Sequence, residues 1–336
     1  MENKNVTIKD VAELAGVSKS TVSRVLSDSP RISQATKNKV YEAMKELGYH
    51  PNEIARSLAN SKSNTLGIVM PNGTDEFYSN SFFQESLRGI SHIAMEKGYD
   101  ILISTSKNSE LEVAKKFIQS KKVDGIILMR SRVQDETIEF LRRARFPFVL
   151  IGSSLEYDDV NAVDNDNFLA SYQLTEHIIN RGRKKIAFIG GNEASVVTVK
   201  RIEGYKKALK IAGLQEIKEF IMTDDFQEQN GYNSVEKLFQ MKERPDGIIV
   251  ADDMVCIGVM KKLKELGCKV PEDIAVGAFN DSMFSKYSTP AITSVEVCSM
   301  TLGEKAAIML IKLINKENVE QKIIVSHSLL IRESTK

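Results

Sequence analysis

From Leu66 onward, short apolar runs alternate with amphipathic segments of helical periodicity, and this pattern constrains the fold more than any other feature of the chain. Seven runs predict buried strands, at residues 66–70, 101–104, 125–129, 148–151, 186–189, 247–251 and 274–278. Parallel neighbouring strands need a crossover connection, which is usually a helix. The alternation therefore predicts an α/β core of parallel sheets with helices on both faces.

A local repeat suggests how these strands are grouped. The sequence VDGIIL at 123–128 reappears as PDGIIV at 245–250, and each copy follows a predicted helix. The repeat is typical of two similar lobes. A short repeat also arises by chance in α/β proteins, so the repeat alone leaves one lobe and two lobes open.

The segment before this core predicts three short helices. Thr7 and Asp10 have the spacing of a capping box at the start of the first helix, and Gly16 suits the positive φ of a tight turn after it. Ser18 is a good N-cap for a second helix that runs to Leu26. A third helix is expected from about Ser33 to Gly48. A short helical stretch at 52–59 and a polar linker at 60–63 follow.

The second helix has one apolar and one polar face. At about 100° per residue, Val22, Val25 and Leu26 share one side, and Ser20 and Arg24 lie opposite, with Lys19 and Ser23 at the margins. An arginine on such a face can bond the edge of a guanine through two N–H groups. The pattern predicts a DNA-reading helix, and a three-helix bundle without DNA is the alternative.

Composition excludes several other classes of protein. The 336 residues carry a net charge of only +1, and the segment up to Lys62 has a mild basic excess, which permits nucleic-acid binding. The amino terminus lacks the apolar stretch of a secretory signal, and no apolar run approaches the roughly 20 residues of a membrane span. Cys256, Cys268 and Cys298 form no CxxC pair. We expect a cytoplasmic protein without a membrane segment, a metal ion or a cofactor.

Polar side chains follow three of the predicted strands. Asp252 and Asp253 come after 247–251, Asn280 after 274–278 and Asn192 after 186–189. Ligands bind outside the carboxyl ends of strands in open α/β sheets, and these donors and acceptors suit the hydroxyl groups of a sugar. The alternative is that they cap the following helices, a role for which Asp253 before Met254 is well placed.

Here the sequence resembles the lactose/galactose-repressor family over essentially the whole chain. The resemblance rests on VTIKDVA at 6–12, GVS at 16–18, TVSRVL at 21–26, Tyr49, Pro51 and ARSL at 55–58. It implies that Lys19, Ser20 and Arg24 read bases and that 52–59 is a hinge helix whose Leu58 wedges into the minor groove. A core position is the alternative for Leu58. The other expected DNA contacts are Thr7, Ser18, Thr21, Ser23, Asn52, Ala55 and Arg56.

The same resemblance implies an effector site. Arg201, in RIEGY at 201–205, matches the family's effector-binding arginine, Phe226 an aromatic that closes the pocket, and Asp252 and Asn280 hydroxyl-binding positions. An aspartate is usual where Asn280 stands, and Gly152-Ser153 is a second departure from the lactose repressor. Phe77 and Tyr78 are candidate stacking surfaces, whereas Phe82 and Phe83 equally suit the core face of the next helix.

The segments at 75–83, 87–90 and 163–167 are similar to those of repressors of maltose and maltodextrin operons. We therefore expect an all-α helix-turn-helix head at 1–51, a hinge at 52–63 and a two-lobed core like periplasmic binding proteins. The predicted lobes are 64–163 with 292–322 and 164–291 with 323–336. The expected partners are double-stranded operator DNA, a sugar effector and a second copy of the chain in a homodimer.

Three alternatives bear on this function. An enzyme is disfavoured because the chain has no GxSxG, P-loop or HExxH motif and its four histidines are scattered. A secreted sugar-binding protein would need an export signal in place of the head. A repressor whose ligand strengthens DNA binding remains open beside one that a sugar inducer releases from a palindromic operator.

Overall fold

The computed structural model describes residues 6–26, 29–49, 62–71, 80–105 and 109–336. The chain divides into two compact units, Met1–Ser63 and Asn64–Lys336. Among the helices in the described ranges, none is long and apolar enough to cross a membrane.

The first unit contains the three expected helices, α1 (Ile8–Leu14), α2 (Lys19–Leu26) and α3 (Gln34–Leu47). The backbone N–H of Thr7 donates to the Asp10 carboxylate at 2.8 Å, which is one half of a capping box at the start of α1. Buried apolar side chains from all three helices form one small core: Val11, Ala12, Val22, Val25, Val40 and Ala43. A buried core of this kind fixes which face of α2 remains outside.

The second unit alternates strands and helices along the chain. Its strands are β1 (Thr65–Val69), β2 (Asp100–Ser104), β3 (Gly125–Leu128), β4 (Phe148–Ile151), β5 (Ala162–Asn165), β6 (Ile186–Gly190), β7 (Ile221–Thr223), β8 (Gly247–Val250), β9 (Ala275–Phe279), β10 (Thr293–Glu296), β11 (Lys322–Val325) and β12 (Ser328–Leu330). Its helices are α4 (Ser81–Lys97), α5 (Glu110–Ser120), α6 (Glu136–Ala144), α7 (Asn167–Asn180), α8 (Val196–Ile211), α9 (Glu228–Gln240), α10 (Asp253–Glu265), α11 (Met283–Tyr287) and α12 (Ser299–Ile314). Short 3₁₀ turns lie at Lys218–Phe220 and Glu333–Thr335.

The strands of the described residues form two six-stranded sheets, in the orders β11-β5-β4-β3-β1-β2 and β12-β10-β9-β8-β6-β7. Within these sheets the pairings are parallel except that of β10 with β12. The prediction of a two-lobed core of parallel sheets is confirmed. We call the lobe of the first sheet lobe 1 and that of the second sheet lobe 2.

Helices cover both faces of each sheet. In lobe 1, Ile127 of β3 joins the apolar layer with α4 and α12, whereas its neighbours Ile126 and Leu128 join the layer with α5 and α6. Alternate side chains of a strand point to opposite faces, so a strand buried on both sides is a continuous apolar run. Lobe 2 repeats this arrangement, with α9 and α10 on one face and α7 and α8 on the other.

The chain passes between the lobes three times, and the crossing points differ from those expected. β5 extends lobe 1 to Asn165 instead of 163, and β10, expected in lobe 1, pairs with β9 in lobe 2. β11, most of which was expected in lobe 2, pairs with β5 in lobe 1. The crossings therefore follow β5, β10 and β11. Their positions depend on which sheet each short strand joins, and strand composition does not encode that choice.

Candidate functional site

The outer face of α2 carries the polar side chains that the sequence places there. Lys19, Ser20, Ser23 and Arg24 are exposed, whereas Val22 and Val25 are fully buried on the opposite face. Burial anchors the helix through one side and leaves the other side exposed, as the approach to a groove of DNA requires.

Hydroxyl groups organise the start of α2. The Ser18 hydroxyl accepts a hydrogen bond from the Thr21 backbone N–H at 3.1 Å, so Ser18 caps the helix as predicted. It also contacts the hydroxyls of Ser20 at 2.7 Å and Thr21 at 2.8 Å. Ser18 is exposed, Thr21 is half-buried, and exposed Thr7 donates its hydroxyl to Asp10 at 2.7 Å. These predicted DNA contacts therefore lie at the starts of α1 and α2.

A cavity of about 370 Å³ lies between the two lobes, at the carboxyl ends of strands from both sheets. Five of the seven predicted effector residues line it: Asn192, Arg201, Phe226, Asp252 and Asn280. The other two, Phe77 and Tyr78, lie outside the described residues. The cavity also has apolar walls, from Phe82, Met129 and Ile151 of lobe 1 and from Val197 and Ala251 of lobe 2.

Arg201 is buried at the floor of this cavity and is held on several sides. Its Nε donates to Asn167 Oδ1 at 3.0 Å, and its Nη1 donates to the carbonyl of Ala251. The guanidinium carbon lies 3.8 Å from the centre of the Phe279 ring, in a cation–π arrangement. Burial lowers the pKa of Arg201 to about 10, so the side chain remains charged at neutral pH. A buried guanidinium fixed in this way has a defined orientation at the cavity wall, with its charge and N–H groups held in place.

Asp252 caps a helix and also lines the cavity. It is the N-cap of α10, since its Oδ1 accepts from the backbone N–H of Met254 at 2.8 Å. The expectation that Asp253 is the cap is therefore wrong, because Asp253 is already the first residue of the helix and accepts from the Ser285 hydroxyl. The other oxygen of Asp252 accepts from the side-chain amide of Asn280 at 2.8 Å. Burial, together with the nearby Asp253 carboxylate, raises the pKa of Asp252 to about 7.

Phe226 lies in the loop after β7, where it is half-buried over a glycine. A Cβ built on Gly191 would come within 2.1 Å of the Phe226 ring, so a larger residue at 191 would displace the ring from this position. Next to it, the Asn192 side chain accepts from the backbone N–H of Ala194 at 2.8 Å and orders the loop that leads into α8. The aromatic ring thus forms one wall of the cavity beside the polar groups.

Comparison with known proteins covers both the head and the core. Residues 7–52 match the model of bacterial regulatory proteins of the lacI family, and residues 175–335 match that of a periplasmic binding protein-like domain. The HTH-type transcriptional regulator MalR of Streptococcus pneumoniae serotype 4 is 37% identical over 332 residues, which are 97% of this chain and 99% of the relative. The chain is a member of the lacI family of bacterial regulatory proteins.

Other members and solved structures cover the same full length. Catabolite control protein A of Priestia megaterium is 36% identical to this LacI-family chain over 337 residues, 99% of this chain and 100% of the relative. The structure of the lac repressor dimer bound to operator and an anti-inducer matches with a TM-score of 0.86 at 25% identity, covering 99% of both chains. A complex of the regulator CelR with cellobiose matches with a TM-score of 0.77 at 29% identity, covering 98% of this chain and 99% of that one. The family consists of DNA-binding transcriptional regulators rather than enzymes, and this chain is one of them.

Several cavity residues of this LacI-family regulator are not identified as site residues by the sequence. Asn80, Asp164 and Asn167 all line the cavity. The Asn167 amide donates to Asp164 at 3.1 Å, and burial raises the pKa of that carboxyl to about 6. For Asp164 and Asn167 the available signal is the polar string at 163–167, which indicated only a resemblance to maltose-operon repressors.

Two backbone hydrogen bonds join the lobes at the rim of the cavity. Val133 N–H of lobe 1 donates to the Ala194 carbonyl of lobe 2 at 2.8 Å, and Val196 N–H donates to the Ser131 carbonyl at 3.4 Å. The lobes of the LacI-family core therefore touch in this structure and enclose the cavity. The predicted hinge residues Asn52, Ala55, Arg56 and Leu58 lie outside the described residues.

Proposed function

We propose that the chain is a homodimeric repressor of a carbohydrate-utilisation operon, released from its operator by maltose or a short maltodextrin. The observation that carries this proposal is the convergence of Arg201, Asp252, Asn280 and Phe226 on one cavity. Charged and amide groups bind sugar hydroxyls, and an aromatic face packs on the apolar face of a sugar ring. The similarity to MalR favours a maltose-type effector.

The size of the cavity favours a small sugar. Its volume of about 370 Å³ lies at the lower end of the range that is typical of small-molecule sites. A disaccharide is the preferred effector, and a longer maltodextrin would require the lobes to separate. The cellobiose complex of CelR and the similarity to catabolite control protein A keep another disaccharide and a co-repressor mechanism as alternatives.

For DNA binding, we propose that the α2 helices of two heads enter successive major grooves of a palindromic operator. Exposed apolar side chains on both lobes of the core are candidates for the dimer surface that this requires: Met95 is 76% exposed, Met283 67% and Tyr287 75%. Burial of such side chains between two copies stabilises association. Sedimentation of a Tyr287→Glu variant, with exposed Lys264→Glu as control, tests whether this surface pairs.

Release follows from differential binding to two lobe arrangements. An effector that binds one arrangement more tightly shifts the population toward it, whichever arrangement is stable without ligand. The effector side chains come mainly from lobe 2 and much of the apolar wall from lobe 1, so ligand binding favours a particular closure of the cleft. We propose that this closure is incompatible with tight operator binding.

The deciding experiment is isothermal titration calorimetry of the full chain against maltose, maltotriose, cellobiose, sucrose, lactose, ribose and hypoxanthine. Any sugar that binds is then added to the operator complex, and release is followed by fluorescence anisotropy of labelled DNA. Heat and release with maltose support the proposal. A heat of binding with hypoxanthine, together with tighter operator binding, would establish a co-repressor mechanism instead. No heat of binding with either maltose or maltotriose would refute the maltose assignment.

A further inference from the structure

Two helix N-caps from different lobes meet in the cavity. Asn80 caps α4 of lobe 1, where its Oδ1 accepts from the backbone N–H of Phe82 at 2.9 Å. Its Nδ2 donates across the cleft to Asp252 Oδ2 at 2.9 Å, and Asp252 caps α10 of lobe 2. Both residues are 4% exposed. The side-chain amide of Asn80 therefore makes two bonds at once, one within its own lobe and one to the other lobe.

The bond to Asn80 leaves room for a ligand on the same carboxylate. A carboxylate can accept about four hydrogen bonds. Asp252 accepts one from Met254 on Oδ1 and two on Oδ2, from Asn80 and Asn280. Among the described residues, nothing donates to the remaining position on Oδ1, which a sugar hydroxyl would then occupy. Asn80 thus orients the carboxylate without using up its binding capacity.

The residues that follow Asn80 strengthen the contact between the lobes. Phe82 packs against the apolar cluster of lobe 1 that contains Phe83 and also against the cluster of lobe 2 that contains Phe279. The first turn of α4 is therefore an element of lobe 1 that touches lobe 2 through a hydrogen bond and an aromatic ring, directly beside the cavity.

We propose that Asn80 is a positioning residue for the effector, which couples the ligand-binding carboxylate of Asp252 to lobe 1. The inference rests on the proposed function of the cavity as a sugar site. An effector hydroxyl bound to Asp252 then tightens a hydrogen-bonded group that spans both lobes, so ligand binding and cleft closure reinforce each other. Without the amide of Asn80, Asp252 loses a donor and the lobes lose a direct side-chain link in the cavity.

The test uses two substitutions that both preserve the helix cap. Serine and aspartate are good N-cap residues, but Asn80→Ser is too short to reach Asp252, and Asn80→Asp places a second carboxylate against it. We expect the parent to bind sugar most tightly, Asn80→Ser to bind it more weakly, and Asn80→Asp to bind it most weakly. The loss with serine should be about 5- to 100-fold, as for the loss of one buried hydrogen bond to a charged group.

A capping role alone predicts a different result. Ser109 caps α5 of the same lobe, through a bond to Glu112 N–H at 3.3 Å, and does not line the cavity. Ser109→Ala should lower the melting temperature and leave sugar affinity unchanged. If Asn80→Asp bound sugar as tightly as the parent, Asn80 would be a cap and nothing more, and the proposal would be overturned.

A reciprocal exchange tests the bond without any ligand. In Asn80→Asp combined with Asp252→Asn, the donor and acceptor change places and both caps are retained, while the Asn280 amide, which also faces position 252, turns over to present its oxygen to the amide introduced there. We expect the double variant to recover the melting temperature and the amide-exchange protection at 80–83 and 252–256 that Asn80→Asp loses. Additive losses would overturn the proposed link. Failure of the parent to bind any sugar would instead refute the proposed function, while the exchange result stands on its own.

Discussion

Asp252 shows that capping a helix and facing a ligand cavity are compatible for one residue. One carboxylate oxygen holds the first turn of α10 and the other faces the amides of Asn80 and Asn280. The cap fixes the position of the side chain, and a fixed side chain loses little further freedom when a ligand binds. From the sequence these two roles were alternatives, because the oxygens of a carboxylate are distinguishable only in a structure.

Arg201 provides the first prediction at this scale. Arg201→Lys keeps the charge but loses the planar guanidinium that bonds Asn167 and Ala251 and stacks on Phe279. We expect sugar affinity to fall at least about tenfold, which is about 1.4 kcal/mol, as measured by calorimetry. Lys200→Ala, one residue away and outside the cavity lining, serves as the control. If both variants lost the same sugar affinity, Arg201 would not be a residue of the sugar site.

Arg24 provides the second prediction at the scale of residues. Arg24→Ala on the exposed face of α2 should weaken operator binding and relax base preference at one position of each half-site, by about 1–3 kcal/mol. Binding to a set of single-base operator variants measures this. Lys37→Ala on α3 should leave base preference as it is. If Arg24→Ala lost the same affinity for operator and for random DNA, the arginine would contact phosphate rather than a base.

The two buried carboxyls of the cavity predict a pH dependence of stability. Burial raises the pKa of Asp252 to about 7 and that of Asp164 to about 6, from an unperturbed value of 3.8. At pH values between 3.8 and about 7, these carboxyls therefore hold more protons in the folded state than in the unfolded state. Their contribution to the free energy of unfolding should fall as pH rises from about 4 to 7. Denaturant unfolding at several pH values checks this, and Asp252→Asn should show a flatter profile.

The residues that sequence reasoning missed share a physical cause. Asn80 and Asn167 precede or begin helices of the core, and an asparagine in such a position ordinarily signals a cap. That they also face Asp252 and Arg201 depends on the approach of distant segments, since Asn80 and Asp252 lie 172 positions apart. Residues after predicted strands were easier to assign, because the carboxyl edge of a parallel sheet is itself predictable.

At the scale of elements, strands that form a continuous apolar run were predictable, and short strands that contain polar residues were not. All seven predicted strands are present, within one residue of their expected bounds. Of the strands in the described residues, the five that were missed have three or four residues each, and β7, β11 and β12 lie at sheet edges. Edge strands are less buried, so they include polar residues, as in Lys322 of β11 or Ser328 of β12. Their sequences therefore lack the apolar run that predicts a strand.

Packing of α9 against α10 gives a prediction for an element pair. A Cβ on Gly258 would lie 1.9 Å from the Glu228 carbonyl, so this glycine lets the two helices approach closely. Gly258→Ala should force the helices apart and destabilise lobe 2 by about 1–3 kcal/mol, lowering the melting temperature. Lys264→Ala, exposed on the same helix, is the control. An unchanged melting temperature would mean that the pair adjusts without strain.

At the scale of the whole molecule, function depends on how the lobes of the core are joined. The chain crosses between them after β5, β10 and β11, and a single side chain connects the three crossings. The buried amide of Asn165, the last residue of β5, donates to the carbonyls of Val297 and Val325, each at 3.0 Å. Val297 follows β10 and Val325 ends β11. The three crossing strands are thus tied together at one point, and we expect any movement of the lobes to pivot there.

This pivot leads to a prediction that separates effector binding from effector response. Asn165→Ala removes both donors from buried carbonyls, which costs about 1–3 kcal/mol of stability for each acceptor left without a partner. We expect a lower melting temperature and faster amide exchange at all three crossings, including the two that are distant in sequence from the substitution. The crossings then move independently, so sugar binding at the cavity is transmitted less completely to the head. The measured result should be operator release that is incomplete at saturating sugar.

Asn180→Ala, at the exposed end of α7, is the matched control. Faster exchange confined to 163–167, with complete release, would show that Asn165 stabilises only its own strand and that the crossings pivot without it.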